Sequence, residues 1–157
     1  MVLSVNRPGT RRFCTFFLDG LLFGIPVEKV QEVIRYQEMT RVPLAPPVVR
    51  GLINLRGQIV LAIDLRRRLE LAEAPAELRP MNVVLGTQEG PISFLADEIG
   101  GVIEVGDEAF EVPPQTLRGA ARDLILGAFK LKERLLLVLD AERAAIVEVE
   151  TLERAAP

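Results

Sequence analysis

The chain has 157 residues, a mass of 17.4 kDa, a net charge of −3 and a pI near 5.2, which gives room for one domain or two small, closely packed halves and no basic excess to concentrate it on nucleic acid or anionic lipid. One cysteine, Cys14, and no histidine exclude an intrachain disulfide, imidazole catalysis and a zinc site built from imidazole and thiolate. Hydrophobic residues make up 49% and mean hydropathy is +0.26, yet no apolar run reaches the ~18 residues of a membrane-spanning helix.

Residues 1–12 carry Arg7, Arg11 and Arg12 with no apolar stretch behind a basic start, so they read as a disordered lead-in and not as a secretory signal. Together with the lone thiol, this points to the reducing cytoplasm. Residues 13–18 and 21–25 are apolar and rich in phenylalanine and leucine, with Asp19-Gly20 between them; that pattern predicts a hairpin with a two-residue type I′ turn. Cys14 falls in the first strand, as a small core residue. Pro26 closes the second strand and suits the first turn of a short helical segment over 27–32, after which 33–36 reads as a strand. Pro43, Pro46 and Pro47 impose a bend. Residues 51–55, Arg56-Gly57 and 58–63 form a second predicted hairpin, and Asp64 caps a helical start over 65–69. Residues 70–80 hold two prolines and several charges and read as an exposed connector between halves.

The second half repeats the first. Residues 28–34 align without gaps to 97–103, an offset of 69, and residues 51–64 align to 127–140, an offset of 76. The extra residues fall between Gly106 and Ile125, where Pro113, Pro114 and Gly119 mark an insertion loop. Two repeats are too few for a solenoid, and a half of about 70 residues is marginal alone, so the halves are expected to share buried surface. Short β-rich segments with brief helical pieces favour small barrels over a doubly wound sheet.

The run Gly51-Leu52-Ile53-Asn54-Leu55-Arg56-Gly57-Gln58-Ile59-Val60, followed by Ile63-Asp64-Leu65-Arg66, resembles the signature of the CheW-type coupling proteins of chemotaxis. Gly24-Ile25-Pro26-Val27, Val30-Gln31-Glu32-Val33 and the segment from Tyr36 to Pro43 are similar to the family's opening and to its approach to that signature. The resemblance implies a mainly β fold: two small SH3-like five-stranded β-barrel subdomains, intertwined around a shared core, with short helical segments. It implies one such domain over 13–150, with 151–157 as a tail. It further implies an adaptor with no catalytic activity, cofactor or metal, joining chemoreceptor cytoplasmic tips to the regulatory domain of the histidine kinase CheA. The residues it implies at the receptor groove and the kinase-coupling surface are Val30, Glu32, Gly51, Arg56, Ser93 and Ile99. Two positions depart from the family pattern. Leu61 stands where many members have proline, which restores a backbone donor. Ser93 stands where relatives often have a glycine facing the groove, so its hydroxymethyl is expected to narrow it.

Each of these residues also has a plainer reading. Arg56 at a turn is ordinarily just solvated, although its planar guanidinium can bridge carboxylates as a lysine cannot. Gly51 and Gly57 read first as backbone devices, with Gly51 also used by relatives at the groove. Val30 and Val33 can be core, and Glu32 a solvated charge beside a strand. Arg66, Arg67 and Arg68 read as a solvated helix face, and Asp64 and Asp140 as paired caps. The rival functions are a coupling protein of a related motility pathway and a small-barrel nucleic-acid binder using Arg56 and the arginine run, with sparse aromatics against the latter. A carboxylate enzyme is third, because no phosphate-binding glycine motif and no G-x-S-x-G occurs.

Overall fold

Turn chemistry sets both predicted hairpins. Asp19 and Gly20 take φ of 50° and 77°, and Arg56 and Gly57 take 53° and 84°, so both residues of each turn are left-handed, as a type I′ turn requires. The strands they join are β1 (Thr10–Leu18) with β2 (Leu21–Pro26), and β4 (Val49–Leu55) with β5 (Gln58–Asp64). The structure, a computed structural model, describes residues 8–147. The expected tail over 151–157 and the first residues of the lead-in lie outside that span. Within the lead-in, Thr10, Arg11 and Arg12 already belong to β1, opposite Gly106, Val105 and Glu104. The first strand therefore begins three residues earlier than the apolar pattern indicated.

A 3-10 turn, Val27–Lys29, leads into β3 (Val30–Ile34). The helical segment expected over 27–32 is thus cut short. β-Branched Val30, Val33 and Ile34 pair with Leu85, Val83 and Asn82, and that pairing outweighs the local helical signal. Pro26 ends β2 opposite Phe13 and is the N-cap of the 3-10 turn. After β5 come α1 (Leu65–Arg68), β6 (Met81–Thr87), β7 (Gly90–Ala96) and β8 (Glu98–Gly106). A second 3-10 turn, Asp107–Ala109, then precedes β9 (Phe110–Glu111), α2 (Gly119–Leu124), β10 (Ile125–Lys130), β11 (Leu135–Leu139) and α3 (Ala141–Ala144). Asp64 Oδ1 accepts from the Arg67 N–H at 3.2 Å and Asp140 Oδ1 from the Arg143 N–H at 3.1 Å, so both aspartates cap as expected.

The strands form two sheets, ordered β8-β1-β2-β11-β10-β9 and β3-β6-β7-β5-β4. Under the sequence repeat β1, β2, β3, β4 and β5 correspond to β6, β7, β8, β10 and β11, and with that substitution the two orders become identical apart from β9. Each sheet takes its central hairpin from one half and its other strands from the opposite half. The junctions are parallel in both, Leu22, Phe23 and Gly24 against Leu136, Leu137 and Val138, and Leu61 to Asp64 against Ile92 to Leu95. A bulge interrupts the edge strand at the same place in each, between Val30 and Glu32 and between Ile99 and Gly101. The halves have exchanged strands, so the 70–80 connector separates them in sequence and not in space.

Two small five-stranded barrels were expected. The hydrogen bonding instead shows open sheets of six and five strands, with no ladder closing either among the described residues. In each, the chain leaving the edge strand crosses to the opposite edge. Past β3, Thr40 exchanges two backbone bonds of 2.8 Å with Leu52 of β4. Past β8, β9 pairs with Ala128 and Phe129 of β10, and this crossing is the sixth strand. Glycine permits both approaches: a Cβ on Gly51 would stand 2.8 Å from the Thr40 carbonyl oxygen, and one on its counterpart Gly127 would stand 2.5 Å from that of Glu111 and against the Phe110 ring.

The main core joins both sheets, with Phe16, Phe23 and Leu137 against Ile63, Val83 and Phe94. A second cluster, Phe13, Leu22, Phe129, Leu136 and Val138, lies within the six-stranded sheet alone. Phe13 and Phe110 both pack against Phe129, with ring centroids 5.6 and 5.1 Å away.

Candidate functional site

The β4–β5 turn holds Arg56 in the left-handed region, with Asn54 Oδ1 accepting from the Gly57 N–H at 2.9 Å. This local bond fixes the direction in which Arg56 leaves the tip. Its guanidinium pairs with the Glu32 carboxylate on β3. β3 is one edge of the five-stranded sheet and the tip belongs to the other, so the ion pair spans the mouth between the two edges. The Arg56 side chain is 74% exposed and that of Glu32 28%.

The bulge at Gln31 decides which way β3 side chains point. Val30 stands opposite Leu85 and Glu32 opposite Val84, adjacent residues that face opposite sides of β6. Val30 therefore packs against the main core, with Leu85, while Glu32 turns to the mouth. Two residues that plain alternation would put on one face are separated. Ile99, the counterpart of Val30, stands opposite Phe16 on the other sheet and packs against the same core. Gly51 is buried beneath Met39 and Thr40. The structure thus brings Glu32 and Arg56 into contact, seats Gly51 under the neighbouring crossing, and sets Val30 and Ile99 partly into the core.

Ser93 is placed differently from the expectation. It is 0% exposed, because β7 runs between β6 and β5, and its hydroxyl donates to Asn82 Oδ1 at 2.8 Å. Asn82 in turn donates to the Arg35 carbonyl at 3.1 Å. Ser93 narrows no groove; it orients the amide that anchors the chain leaving β3. Leu61 is likewise internal, paired with Leu52 on one side and Ile92 on the other.

The arginine run is a solvated face only in part: Arg67 is exposed, Arg68 half-buried and Arg66 buried. Arg66 is 9% exposed; its Nε and one terminal nitrogen donate to the two Asp97 oxygens at 3.0 and 2.6 Å, and the other terminal nitrogen donates to the Ala72 carbonyl at 2.8 Å. The same Asp97 carboxylate accepts from the Asp19 N–H at 2.9 Å. The hydrogen bond to Asp97 outweighs burial and raises the Arg66 pKa further, so this group is a fixed charge that ties α1, the β1–β2 turn and the start of β8 together. Arg68 donates to the Ala144 and Arg143 carbonyls at 3.2 and 3.0 Å, and Arg67 pairs with Glu73 at 3.0 Å. With Arg66 buried and Arg67 and Arg68 each engaged by an acceptor, the run does not form the free cationic patch that motivated a nucleic-acid reading. Residue type showed the run, but only the position of Asp97 shows its role. Among the described residues no group of three acidic or cysteine side chains is placed to hold a metal, and no helix is long and apolar enough to cross a membrane.

A family model described as the CheW-like domain matches residues 12–147. This chain belongs to the CheW-like domain family. Among its CheW-like relatives, "Chemotaxis protein CheW" of Treponema pallidum (strain Nichols) is 32% identical over 133 residues, covering 82% of this chain and 78% of that protein. "Chemotaxis protein CheW" of Bacillus subtilis (strain 168) is 30% identical over 146 residues, covering 93% and 92%. "Protein FrzA" of Myxococcus xanthus is 32% identical over 123 residues, covering 77% and 74%. The fold matches the crystal structure of the scaffolding protein TtCheW from Thermoanaerobacter tengcongensis with a TM-score of 0.72 at 24% identity, over 82% of this chain and 88% of that one. The strand-exchanged duplication and the Arg56–Glu32 mouth are therefore features of a CheW-like chain.

Proposed function

We propose that this chain is a non-catalytic cytoplasmic adaptor that couples the tips of chemoreceptors to the regulatory domain of the histidine kinase CheA. The observation that carries the reading is the Arg56–Glu32 mouth. A cation on a rigid two-residue turn, three-quarters exposed, is paired to a carboxylate that sits deeper. An exposed pair of this kind adds about 0–1 kcal/mol to stability, so its guanidinium can exchange that partner for a carboxylate on another protein at small cost to the fold. The planar fork favours such an exchange, since it takes a carboxylate through two parallel bonds. Family membership and the names of the relatives support the same reading.

In this account the mechanism is geometric. The two sheets, each with its opposite edges linked by a crossing, residues 39–40 in one and β9 in the other, offer separate surfaces, and holding receptor and kinase together raises their effective concentration and couples their states. Val30, Gly51 and Ile99 act through the edge strands that carry them, and Ser93 acts only through Asn82. The test is a reconstituted kinase assay with a receptor cytoplasmic fragment, CheA and this chain. Arg56→Glu is expected to unfold at the wild-type urea concentration and to lose most receptor-dependent kinase activation. Full activation by a folded Arg56→Glu variant contradicts the assignment.

A further inference from the structure

At the end of the β4–β5 hairpin away from Arg56, Asp64 does more than cap α1. Its Oδ1 is committed to the Arg67 N–H, and its Oδ2 is shared by two guanidinia, Arg50 at 3.5 Å and Arg67 at 3.7 Å. Charge-assisted bonds run to about 2.7–2.9 Å, so one carboxylate is stretched between two cations and seats neither. Arg67 is completed by Glu73 of the connector, 3.0 Å away, whose side chain is 80% exposed. Arg50 has no second ion-pair partner among the described residues. The repeat shows that the fold does not need this second cation. Asp140 and Arg143 reproduce Asp64 and Arg67, cap included, but Leu126 stands at the position of Arg50, and Arg143 turns to the Asp123 carbonyl at 3.1 Å. Arg50 and Arg67 line a cavity of about 470 Å³ whose connector side is largely apolar, with Ala74, Pro75, Ala76, Leu78 and Pro80.

We propose that this cavity binds a small carboxylic acid with a short apolar body, its carboxylate bridging Arg50 and Arg67 and its apolar body resting on the connector. The cavity is of the size that small-molecule sites have, and it combines an apolar wall with a few convergent polar groups. Charge selects the ligand. Arg66 and Asp97, also in the lining, satisfy each other, which leaves Arg50 and Arg67 against Asp64 once Glu73 swings into water. One negative charge closes that balance, whereas a phosphate dianion would set its second charge against the Asp64 carboxylate, 14% exposed. Glu73 is the tethered occupant of the same place: it supplies Arg67 with a carboxylate in the free chain and yields it at small cost, because an exposed pair is weak. The connector it sits on is already held at the Ala72 carbonyl by Arg66 and, through Glu70, at the Ala120 N–H of the other half, so a bound acid fastens the stretch between the halves at a third point.

The test is an amide-resolved NMR titration of the full 15N-labelled chain with isocaproate, a branched monocarboxylate, with its uncharged amide, and with inorganic phosphate. Isocaproate is expected to shift the amides of Arg67, Ala74, Ala76 and Leu78 saturably in the millimolar range. The amide should bind about fivefold more weakly, the range a partly exposed charge contact supports, and phosphate should leave these signals in place. Arg50→Leu, which copies the residue of the other half and is expected to keep the wild-type urea midpoint, should abolish the preference for the acid over its amide. Glu73→Gln, which removes the tethered competitor, should tighten isocaproate binding about twofold to threefold; a residue that only stabilised the cavity would weaken it instead. No saturable shift, equal binding of acid and amide, phosphate acting as strongly as isocaproate, or weaker binding by Glu73→Gln would each overturn the proposal. The titration involves neither receptor nor kinase and reads the opposite end of the hairpin from Arg56, so its failure leaves the adaptor reading standing.

Discussion

Replacing Arg66 with alanine removes three hydrogen bonds at once and leaves the Asp97 carboxylate, 15% exposed, with the Asp19 N–H as its remaining donor. Breaking a buried ion pair by deleting one partner costs about 3–5 kcal/mol; because Asp97 keeps one donor and some solvent, the lower figure applies, about 3 kcal/mol. With a urea dependence of roughly 2 kcal/mol per molar for a chain of this size, the unfolding midpoint should fall by roughly 1.5 M, followed by circular dichroism. The repeat supplies a control. Lys29–Glu142, at 2.8 Å, occupies nearly the equivalent place with the charges reversed, and its Glu142 side chain is 81% exposed. Lys29 holds the Glu142 carboxyl below its ordinary range, yet water screens the pair, so Lys29→Ala should leave the midpoint unmoved. An Arg66→Ala midpoint as close to wild type as that of Lys29→Ala would refute the reasoning, because burial would then add nothing to the pair.

Gly51→Ala and Gly127→Ala each force a Cβ against a backbone carbonyl, at 2.8 and 2.5 Å; each should cost about 1–3 kcal/mol by overpacking, read from urea midpoints, and Gly57→Ala should instead show the cost of its left-handed φ without a clash. Burial pushes the Cys14 thiol up, so the native state holds its proton above the pH at which the unfolded chain releases it. That contribution is present below the ordinary thiol pKa and is lost as pH rises through it, so wild-type stability should fall more steeply on the alkaline side than that of Cys14→Ala. Equal slopes would contradict the burial argument. Glu70 Oε1 accepts from the Ala120 N–H at 2.6 Å across the two halves; Glu70→Ala should weaken α2 by about 1 kcal/mol, seen as faster amide exchange over 119–124, and Glu70→Gln should restore most of it.

What the sequence made legible was local. The Asp64 and Asp140 caps depend on a bond to a residue three positions on, and the Asp19-Gly20 and Arg56-Gly57 turns on two consecutive left-handed residues, so composition at those positions was sufficient. The duplication was also readable, as two offsets in register. Which strands the halves trade was not readable from the repeat, which says which segments are alike and nothing about which copy each pairs with; only the family resemblance implied intertwined subdomains. Val30 and Glu32 show a finer limit: a single bulged residue reverses the face of everything beyond it, and alternation alone does not reveal the slip. Arg66 and Ser93 were misjudged for one physical reason. Their surroundings come from Asp97, 31 positions on, and Asn82, 11 positions back, so a charged run looked solvated and a serine looked like a groove lining. The mouth itself was half visible, with Arg56 and Glu32 both singled out but nothing in the chain to say that they meet.

The most direct test of the account is calorimetric titration of this chain against the isolated regulatory domain of CheA and against a receptor cytoplasmic fragment, with Arg56→Glu run beside the wild type. The account predicts saturable one-to-one binding to the kinase domain at micromolar strength or tighter, and at least tenfold weaker binding of one of the two partners by the folded variant, about 1.4 kcal/mol. Absence of binding to either partner, or equal affinities for wild type and variant with both, would contradict it.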